Sequence, residues 1–309
     1  MDADFFVDRS PDDPAWGHGT APATGGVRLH YVRQGQGIPI LLLHGWPGFW
    51  YDWRRVIPAL AREADAIAPD LRGFGVSDKP DLAPREGYTP DVHAADLLAL
   101  LDHLQLPSAV VVGYDVGSRV AQVLARRAPE RVRALVLFAP SYPGFGARRF
   151  EPAAQAEFWY QHFHNIPQAD RLIGHDRETV RLYLEYFYDH WVGRKDSVRP
   201  RELEHIVDVY ARPGAVRASI AWYRARAGAA FAPPTPQPPE PPIPHPTTVL
   251  WGELDPIFPP SWADRLGEYF PRHTLRVLPG VGHFVPFEAP EAVLEAIRAA
   301  CSGAPAPSA

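Results

Sequence analysis

An aspartate occupies the tightest predicted turn of the chain. The apolar residues 109–112 lead into Gly-Tyr-Asp-Val-Gly at residues 113–117, and residues 118–128 then have a helical pattern. This pattern is typical of a strand–turn–helix elbow, in which small flanking residues let the strand and the helix approach closely. Asp115 stands at the apex, where the better-known elbow has Ser. A carboxylate there can attack a carbon and form an ester, which must then be hydrolysed.

Hydrolysis of an aspartyl ester requires a base, and His283 is suitably placed for that role. It lies in the glycine-rich residues 280–284 after a predicted strand, so it should reach the same sheet edge as Asp115. Asp255 also follows a predicted strand, and it can orient the imidazole and stabilise its charged form. The order Asp115, Asp255, His283 is the nucleophile–acid–base order expected with such an elbow. Two alternatives stay open: Glu253 as the acid, and an ordinary structural role for a histidine in a chain that has 13.

Charge that develops on the ester during hydrolysis needs backbone donors near the aspartate. The N–H of Val116, directly after the apex, is one expected donor. The N–H of Trp46, in the sequence His-Gly-Trp-Pro at residues 44–47 after an apolar run, is the other. A plain Gly-Pro turn is the alternative interpretation of that segment.

The elements that position these residues alternate between strands and helices, which predicts a mostly parallel sheet with right-handed crossovers. Apolar runs that indicate buried strands lie at residues 38–43, 65–69, 109–112 and 134–138. Helices are expected at residues 51–62, 90–104, 118–128, 261–269 and 290–300. The polar residues 1–26 hold only a short predicted edge strand, at residues 5–7.

The alternating pattern stops near residue 147 and resumes at residue 247. Residues 147–232 are rich in aromatic side chains and indicate several helices, and residues 233–246 hold nine prolines in fourteen positions. Such a segment should be an extended, semi-rigid connector, although a ligand for a proline-binding partner is an alternative. We therefore predict an α/β core of residues 1–146 and 246–309, with an inserted helical cap at 147–245 that ends in the connector.

Composition excludes several classes of function. The 309 residues have a formal net charge of -5 and no run of like charges, so neither nucleic acid nor a membrane is an expected partner. Cys301 is the only cysteine, and the N-terminus resembles no signal peptide, so a cytoplasmic location is expected. No dinucleotide fingerprint is present, and His162 and His164 do not share a helix face, so we expect neither a cofactor nor a metal. A homodimer is compatible with the sequence.

The chain resembles the epoxide hydrolases of the α/β-hydrolase fold from about residue 27 to residue 300. Residues 44–47 look like the HGxP motif of that family, and residues 113–117 look like its aspartate elbow. In the family, two cap tyrosines hold the epoxide oxygen and protonate it as the ring opens. The resemblance assigns these roles to Tyr160, which precedes Gln, and to Tyr223, which lies in a Trp-Tyr-Arg context.

The resemblance also implies a substrate pocket and a reaction. His44, Pro47, Trp159 and Trp222 flank the matched motifs and are expected to line the pocket. The implied substrates are a small-molecule epoxide and water, and the implied product is a vicinal diol. Many family members have His before the aspartate and Trp after it. This chain has Tyr114 and Val116, which alters the expected pocket wall.

Dehalogenases of the same fold, which also form an aspartyl ester, are similar too. Haloacetate dehalogenases typically have Arg directly after the aspartate and again three residues later; this chain has Val116 and Arg119. They usually place the acid after the next strand, where residues 138–140 here contain none, and they tend to have His-Trp in place of Tyr160-Gln161. Haloalkane dehalogenases usually have Trp in the position of Val116. Arg119 is therefore interpreted as structural.

Two further alternatives belong to other classes. A non-catalytic protein that binds a small apolar ligand would not require the set Asp115, Asp255 and His283. An esterase is disfavoured because Asp replaces Ser at the apex. The sequence thus predicts a cofactor-independent hydrolase that acts through an aspartyl ester.

Overall fold

The computed structural model describes residues 9–226 and 240–303, and its centre is one eight-stranded sheet. The strands are β1 His18–Pro22, β2 Arg28–Gln34, β3 Pro39–Leu43, β4 Asp65–Pro69, β5 Ala109–Tyr114, β6 Val132–Phe138, β7 Thr247–Gly252 and β8 His273–Leu278. Their order in the sheet is β1-β2-β4-β3-β5-β6-β7-β8. β2 pairs antiparallel with β1 and β4, and every other pairing is parallel.

Helices connect the parallel strands. The α-helices are α1 Ile57–Leu60, α2 Pro84–Gly87, α3 Pro90–His103, α4 Asp115–Arg127, α5 Pro152–Glu157, α6 Trp159–Asn165, α7 Ala169–Ile173, α8 Arg177–His190, α9 Pro200–Tyr210, α10 Ala215–Ala225, α11 Leu266–Tyr269, α12 Val285–Glu288 and α13 Pro290–Ser302. The 3₁₀ segments are Thr24–Gly26, Trp50–Trp53, Pro129–Arg131, Pro143–Phe150 and Pro260–Ala263. Thr89 caps α3, because its side chain accepts a hydrogen bond from the N–H of Val92 at 3.3 Å.

The central strands are apolar along their whole length because both faces of the sheet are covered. Every residue of β5 and of β7 is buried. In the parallel register Leu43 of β3 pairs with Gly113 of β5, and Phe138 of β6 pairs with Leu250 of β7. The carboxyl ends of these strands therefore lie side by side. The predicted fold class, a mostly parallel α/β sheet with helices on both faces, is confirmed.

Three local predictions need correction or fall outside the description. The helix expected at residues 51–62 is divided into Trp50–Trp53 and α1, because Pro58 suits the first turn of a new helix and not a helix interior. The helix expected at residues 261–269 is likewise two short pieces, Pro260–Ala263 and α11. The sequence did not predict β1, because its polar, Gly-containing residues lack the apolar pattern of a strand. β1 lies at the edge of the sheet and pairs with β2 alone. The strand expected at residues 5–7 lies outside the described residues.

Helices α5 to α10 all lie between β6 and β7 along the chain, and we call them the helical insertion. Most of their buried apolar side chains belong to the same hydrophobic cluster as those of the sheet, and Ala218 and Ala221 of α10 pack in a separate small cluster with Tyr88. Glu202 of α9 adds a charged anchor to the core: it accepts hydrogen bonds from Arg54 Nε at 2.7 Å and Arg55 Nη2 at 2.8 Å. Residues 240–246 of the predicted connector have no helix or strand, and residues 233–239 lie outside the described part. The domain boundaries at residues 147 and 245 stay a prediction.

Across the described ranges 9–226 and 240–303, every helix is too short or too polar to cross a bilayer.

Candidate functional site

Asp115 lies at the junction of β5 and α4 in a strained backbone conformation. Its φ is +48°, in the left-handed region that most residues with a side chain avoid and that Asp tolerates better than most. Small neighbours make the turn possible: a Cβ added to Gly117 would lie 2.4 Å from the carbonyl oxygen of Leu43. A Cβ added to Gly113 would lie 2.7 Å from the backbone of Gly117. The elbow therefore holds the Asp115 carboxylate at the carboxyl edge of the sheet.

A backbone donor already faces that carboxylate. The N–H of Trp46 donates a hydrogen bond of 2.8 Å to Asp115 Oδ1. The loop approaches closely because Gly45 has no side chain; a Cβ there would lie 2.7 Å from Asp115 Cβ. The Trp46–Pro47 peptide bond is cis. Val116, whose N–H is the second predicted donor, lies beside Asp115 at the start of α4.

His283 and Asp255 lie next to the other carboxylate oxygen. His283 Nδ1 donates a hydrogen bond of 2.8 Å to Asp255 Oδ2, and His283 Nε2 lies 3.7 Å from Asp115 Oδ2. The second oxygen of Asp255 accepts from the N–H groups of Ile257 and Phe258, each at 3.0 Å. Because both its oxygens are engaged, Asp255 fixes the imidazole with Nε2 directed at Asp115.

Glu253, the alternative acid, lies away from the imidazole. Its carboxylate accepts a hydrogen bond of 2.9 Å from the N–H of Gly280 at an exposed position. The structure thus brings Asp255, and not Glu253, to His283.

Buried negative charge controls the protonation of His283. Burial alone would lower the pKa of this imidazole, but the negative charges of Asp255 and Asp115 and the hydrogen bond to Asp255 outweigh burial and raise the pKa to about 10. His283 is therefore an imidazolium at neutral pH. A change that removed the Asp115 charge would remove one of the causes that raise this pKa.

The loop that carries His283 is fastened to the end of α8. The His283 N–H donates to the carbonyl oxygen of Trp191 at 2.8 Å. The buried carboxylate of Glu288 accepts from the N–H groups of Gly193 at 2.8 Å and Gly282 at 3.0 Å. A Cβ on Gly282 would lie 2.2 Å from the Trp191 carbonyl oxygen. The position of the imidazole therefore depends on the helical insertion as well as on the sheet.

The helical insertion places two phenols over the aspartate. Tyr160 begins the first turn of α6, and its ring is parallel to that of Trp46, with centroids 5.5 Å apart. Tyr223, near the end of α10, meets the Tyr160 ring edge-on at 5.5 Å. Gln161 Nε2 donates a hydrogen bond of 3.0 Å to the Tyr160 hydroxyl. Within the described residues, the buried Tyr223 hydroxyl has no partner in normal hydrogen-bond geometry.

Both phenols stay protonated at physiological pH. Burial raises the pKa of Tyr160, and the negative charge of Asp115 raises it further. Burial also raises the pKa of Tyr223 well above its usual value, with additional contributions from Tyr160 and Asp115. Each hydroxyl is therefore a hydrogen-bond donor in front of a carboxylate.

A small cavity of about 50 Å³ joins the aspartate to the phenols. Its lining residues are Asp115, Val116, Arg119, Ser141, Arg149, Tyr160, Gln161, Trp222, Tyr223, Arg226 and Phe258. Of the four predicted pocket residues, this lining includes Trp222 and leaves out His44, Pro47 and Trp159. His44 is fully buried, and its Nε2 accepts from the N–H of Leu71 at 3.0 Å. The Pro47 carbonyl oxygen accepts from Tyr188, and Trp159 packs against Phe187 and Tyr186.

Three arginines line the cavity, and the sequence interpretation assigned a role in the site to none of them. Arg119 was interpreted as structural, and it does pair with Glu240, with an Nη2–Oε1 distance of 2.5 Å. Arg226 had a weak signal, because it lies three residues after Tyr223, but α10 ends at Ala225 and helical periodicity does not set the direction of the Arg226 side chain. Arg149 comes just after the kink at Gly146 in the irregular 3₁₀ segment, where no periodicity predicts a direction for its side chain.

Among the described residues, no cluster of three or more His, Cys, Asp or Glu side chains could hold a metal ion. His162 is bonded to Gln155 at 2.7 Å, and the buried His164 is bonded to the Tyr183 hydroxyl at 2.9 Å. These two histidines therefore contact different partners.

Known proteins share this architecture. Residues 38–290 match the family described as alpha/beta hydrolase fold. The soluble epoxide hydrolase of Corynebacterium sp. (strain C12) is 35% identical over 203 residues, which cover 64% of this chain and 68% of that protein. Haloalkane dehalogenase 2 of Mycobacterium bovis is 30% identical over 284 residues, which cover 87% of this chain and 90% of that protein. The solved structure of epoxide hydrolase CorEH without ligand has a TM-score of 0.76 and 29% identity, and covers 93% of this chain and 99% of that one.

Proposed function

The chain belongs to the α/β-hydrolase fold family, and on that premise we propose that it hydrolyses a small-molecule epoxide to a vicinal diol. The observation that carries the proposal is that the Asp115 carboxylate and the phenols of Tyr160 and Tyr223 line one cavity. An epoxide oxygen leaves as an alkoxide, which is a poor leaving group. Two neutral phenols opposite a carboxylate are suited to hold that oxygen and to protonate it.

The first step forms an ester on Asp115. Oδ1 accepts from the Trp46 N–H, and Oδ2, which is free of that bond, attacks one epoxide carbon. The bond between that carbon and the ring oxygen breaks, and its electron pair stays on the oxygen. A proton from Tyr160 or Tyr223 neutralises the alkoxide, so the intermediate is a hydroxyalkyl ester of Asp115.

The second step uses His283 as the base. Esterification neutralises Asp115, and this removes one of the charges that raise the pKa of His283. The imidazolium gives its proton to the phenolate left by the first step, and the resulting neutral imidazole, still oriented by Asp255, takes a proton from water as the water oxygen attacks the ester carbonyl carbon. The N–H groups of Trp46 and Val116 stabilise the resulting oxyanion. The intermediate collapses with cleavage of the bond between the carbonyl carbon and Oδ2, and the proton of the new Asp115 carboxyl group passes to the leaving alkoxide. The diol therefore leaves with its original ring oxygen and with Oδ2, and the oxygen from water stays on Asp115.

The test is the intact mass of a His283→Gln variant after incubation with styrene oxide and a panel of smaller epoxides. Blocking the second step should let an adduct of one epoxide mass accumulate, and peptide mapping should place it on Asp115. A His273→Gln variant is the matched control, because His273 lies on β8 and bonds the carbonyl oxygen of Phe270. This control should turn over without an adduct. Absence of an adduct from every epoxide, with the variant folded, would contradict the proposal.

A haloacid dehalogenase is the second candidate because Arg119 lines the cavity beside Val116. In that reaction Asp115 would displace a halide from carbon, and no oxygen would need a proton. A glycolyl adduct on the His283→Gln variant after incubation with chloroacetate would move the assignment to dehalogenase. Tight binding of an epoxide without any adduct or turnover would instead favour a non-catalytic binding protein.

The proposal also includes the organisation of the chain. The core of residues 1–146 and 246–309 supplies the nucleophile, base and acid, and the helical cap at 147–245 supplies the phenols. The single cysteine, Cys301, fits a reducing cytoplasmic compartment. Neither step requires a cofactor, because carboxylate, phenols, imidazole and water account for every bond made and broken.

A further inference from the structure

The proposed active-site cavity has an unusual charge for an enzyme that acts on a neutral epoxide. Its lining includes three guanidinium groups, those of Arg119, Arg149 and Arg226, and one carboxylate, that of Asp115. They come from separate elements: α4, the 3₁₀ segment Pro143–Phe150 and the residue directly after α10. Three cations from separate elements around one small cavity indicate a positive site beside the nucleophile.

Among residues 9–226 and 240–303, Arg119 is the one arginine of the three that forms an ion pair with a carboxylate. Glu240 pairs with Arg119 at 2.5 Å and with Arg126 at 3.0 Å, so its single charge is already shared. Arg149 donates to the amide oxygen of Gln161 at 2.6 Å, and neither Arg149 nor Arg226 forms an ion pair with any described residue. Residues 227–239, which lie outside the described part, contain no Asp or Glu. That stretch therefore cannot neutralise either arginine.

The electrostatic cost of this arrangement is visible in the pKa values. Burial lowers the pKa of Arg226, and the like charges of Arg119 and Arg149 lower it further, while the negative charge of Glu240 offsets part of this effect. Burial likewise lowers the pKa of Arg149. Guanidinium groups stay charged at neutral pH, so the described part of the chain places more positive than negative side chains around the cavity. An anionic group bound there would relieve this repulsion.

Arg149 is linked to the phenol that faces the nucleophile. It donates to Gln161 Oε1 at 2.6 Å, and Gln161 Nε2 donates to the Tyr160 hydroxyl at 3.0 Å. Arg226 follows the end of α10, three residues after Tyr223, and both residues line the cavity. Tyr160 is therefore linked to Arg149 through Gln161, and Tyr223 lines the same cavity as Arg226. An anion bound by these arginines would lie in the same cavity as an epoxide ring held by the phenols.

We propose that Arg149 and Arg226 form a carboxylate-binding subsite, and that the substrate is a small epoxide with an acid group on or next to the ring. This inference rests on the proposed epoxide hydrolysis for the identity of the reacting group. A guanidinium fork matches a carboxylate in shape and charge. The cavity of about 50 Å³ suits a small molecule. Arg119, already held by Glu240, adds positive potential without being free to bind.

The experiment compares two matched pairs of substrates that differ in one charge: glycidate with glycidamide, and chloroacetate with chloroacetamide. Wild-type protein should prefer the acid over the amide in kcat/KM by at least about tenfold, the value expected of one charge-assisted hydrogen bond. The preference should decrease as the salt concentration rises. Equal kcat/KM for acid and amide in whichever pair reacts would overturn the inference.

Variants locate the effect. Arg226→Met and Arg149→Met should each reduce the acid-over-amide preference by about tenfold, mainly through KM for the acid, while the amide changes much less. Arg149 also lies over the Phe158 ring at 4.9 Å, so a purely structural role would lower stability and both substrates equally. Arg181→Met is the matched control, because Arg181 pairs with Glu178 on the exposed side of α8. It should leave the preference unchanged.

The two substrate pairs separate the inference from the proposed function. A preference for chloroacetate with no turnover of either epoxide would reject the epoxide reaction and support the subsite. Turnover of glycidamide and glycidate at equal kcat/KM would support the epoxide reaction and reject the subsite. If neither pair reacts, glycolate should raise the melting temperature of the Asp115→Asn variant but not that of Asp115→Asn with Arg226→Met. Absence of that difference rejects the subsite.

Discussion

The floor and the roof of the cavity are built by different means. The floor consists of Asp115, Asp255 and His283, and the roof consists of the phenols of Tyr160 and Tyr223 with the two arginines of the proposed subsite. Each floor residue follows a strand of the parallel sheet, and backbone contacts fix it. The roof residues project from helices or short turns, and aromatic packing places them. The proposed nucleophile, the base and its acid partner thus belong to the floor, and the proposed proton donors and substrate-binding groups belong to the roof.

The floor and the roof belong to different parts of the chain, and Trp46 contacts both of them. Trp46 belongs to a loop of the core, its N–H bonds the floor carboxylate, and its ring stacks on Tyr160 in the roof. A substitution in the floor should abolish the reaction. A substitution in the roof should change which molecules react and how fast.

The largest expected effect is on the floor. Asp115→Asn should lower kcat/KM by about 10⁴-fold or more, because the nucleophile is lost while the left-handed backbone, which Asn tolerates, is kept. Initial rates with a reactive epoxide measure the loss, and mass spectrometry verifies that Asn is retained. Glu253→Gln, on the loop beside Asp255, is the control and should stay within about threefold of wild type. Activity of Asp115→Asn above one-hundredth of wild type would contradict the floor assignment.

A smaller effect is expected in the roof. Tyr160→Phe and Tyr223→Phe should each reduce kcat by about 10–100-fold, and the double variant by about 10³-fold, because each phenol shares the donation to the leaving oxygen. Single-turnover kinetics should assign the loss to ester formation. Tyr186→Phe, which removes a hydroxyl bonded to Trp159 at 3.3 Å on the exposed side, is the control. A double variant as active as wild type would show that the two tyrosines contribute packing and do not donate a proton to the leaving oxygen.

The ion pair between Glu202 of the helical insertion and Arg54 of the core should contribute to the free energy of unfolding. Glu202→Gln should lower the free energy of unfolding by about 3 kcal/mol, because Arg54 would keep its charge at a site where it is 4% exposed and would lose its carboxylate partner. Urea denaturation measures the change. Glu178→Gln removes an exposed partner of Arg181 and should cost less than about 0.5 kcal/mol. Equal effects of the two substitutions would mean that the buried pair does not anchor the insertion.

The smallest expected effect is a pH dependence that belongs to the floor alone. The pKa of His283 is raised from 6.5 to about 10 in the folded protein, so its proton stabilises the fold fully below pH 6.5 and less as pH rises through about 10. From pH 7 to pH 9, wild type should lose about 2 kcal/mol more unfolding free energy than His283→Gln. Tyr160→Phe should lose as much as wild type, since the phenol does not titrate there. Parallel curves for wild type and His283→Gln would refute the raised pKa.

Much of the floor was predictable from the sequence because strand ends are predictable. Asp115, Asp255 and His283 each follow an apolar run, and parallel strands bring their carboxyl ends to one edge. The structure places His283 within 2.8 Å of Asp255 and 3.7 Å of Asp115. Periodicity and turn residues carry this information over short distances along the chain.

The roof was less predictable because its geometry depends on contacts between distant segments. Tyr160 and Tyr223 were identified by resemblance to a family and not by pattern. Arg149 was missed, because its direction depends on a bond to Gln161 twelve positions away. Trp159, expected in the pocket, packs on the far side of α6 against Tyr186. Which face of a short helix points inward is decided by packing, and local sequence does not record it.

The junction between Glu288 and the end of α8 restricts how a molecule can enter and leave. The carboxylate of Glu288 accepts hydrogen bonds from Gly282, in the loop that carries His283, and from Gly193, after the end of α8. The His283 N–H also donates to the Trp191 carbonyl oxygen. Swinging the whole insertion outward would break these bonds and displace the base with each cycle of turnover. Passage must therefore rely on small local openings elsewhere around the roof. Because residues 191–194 and 280–288 share these bonds, a substitution in either segment should disturb the position of the other.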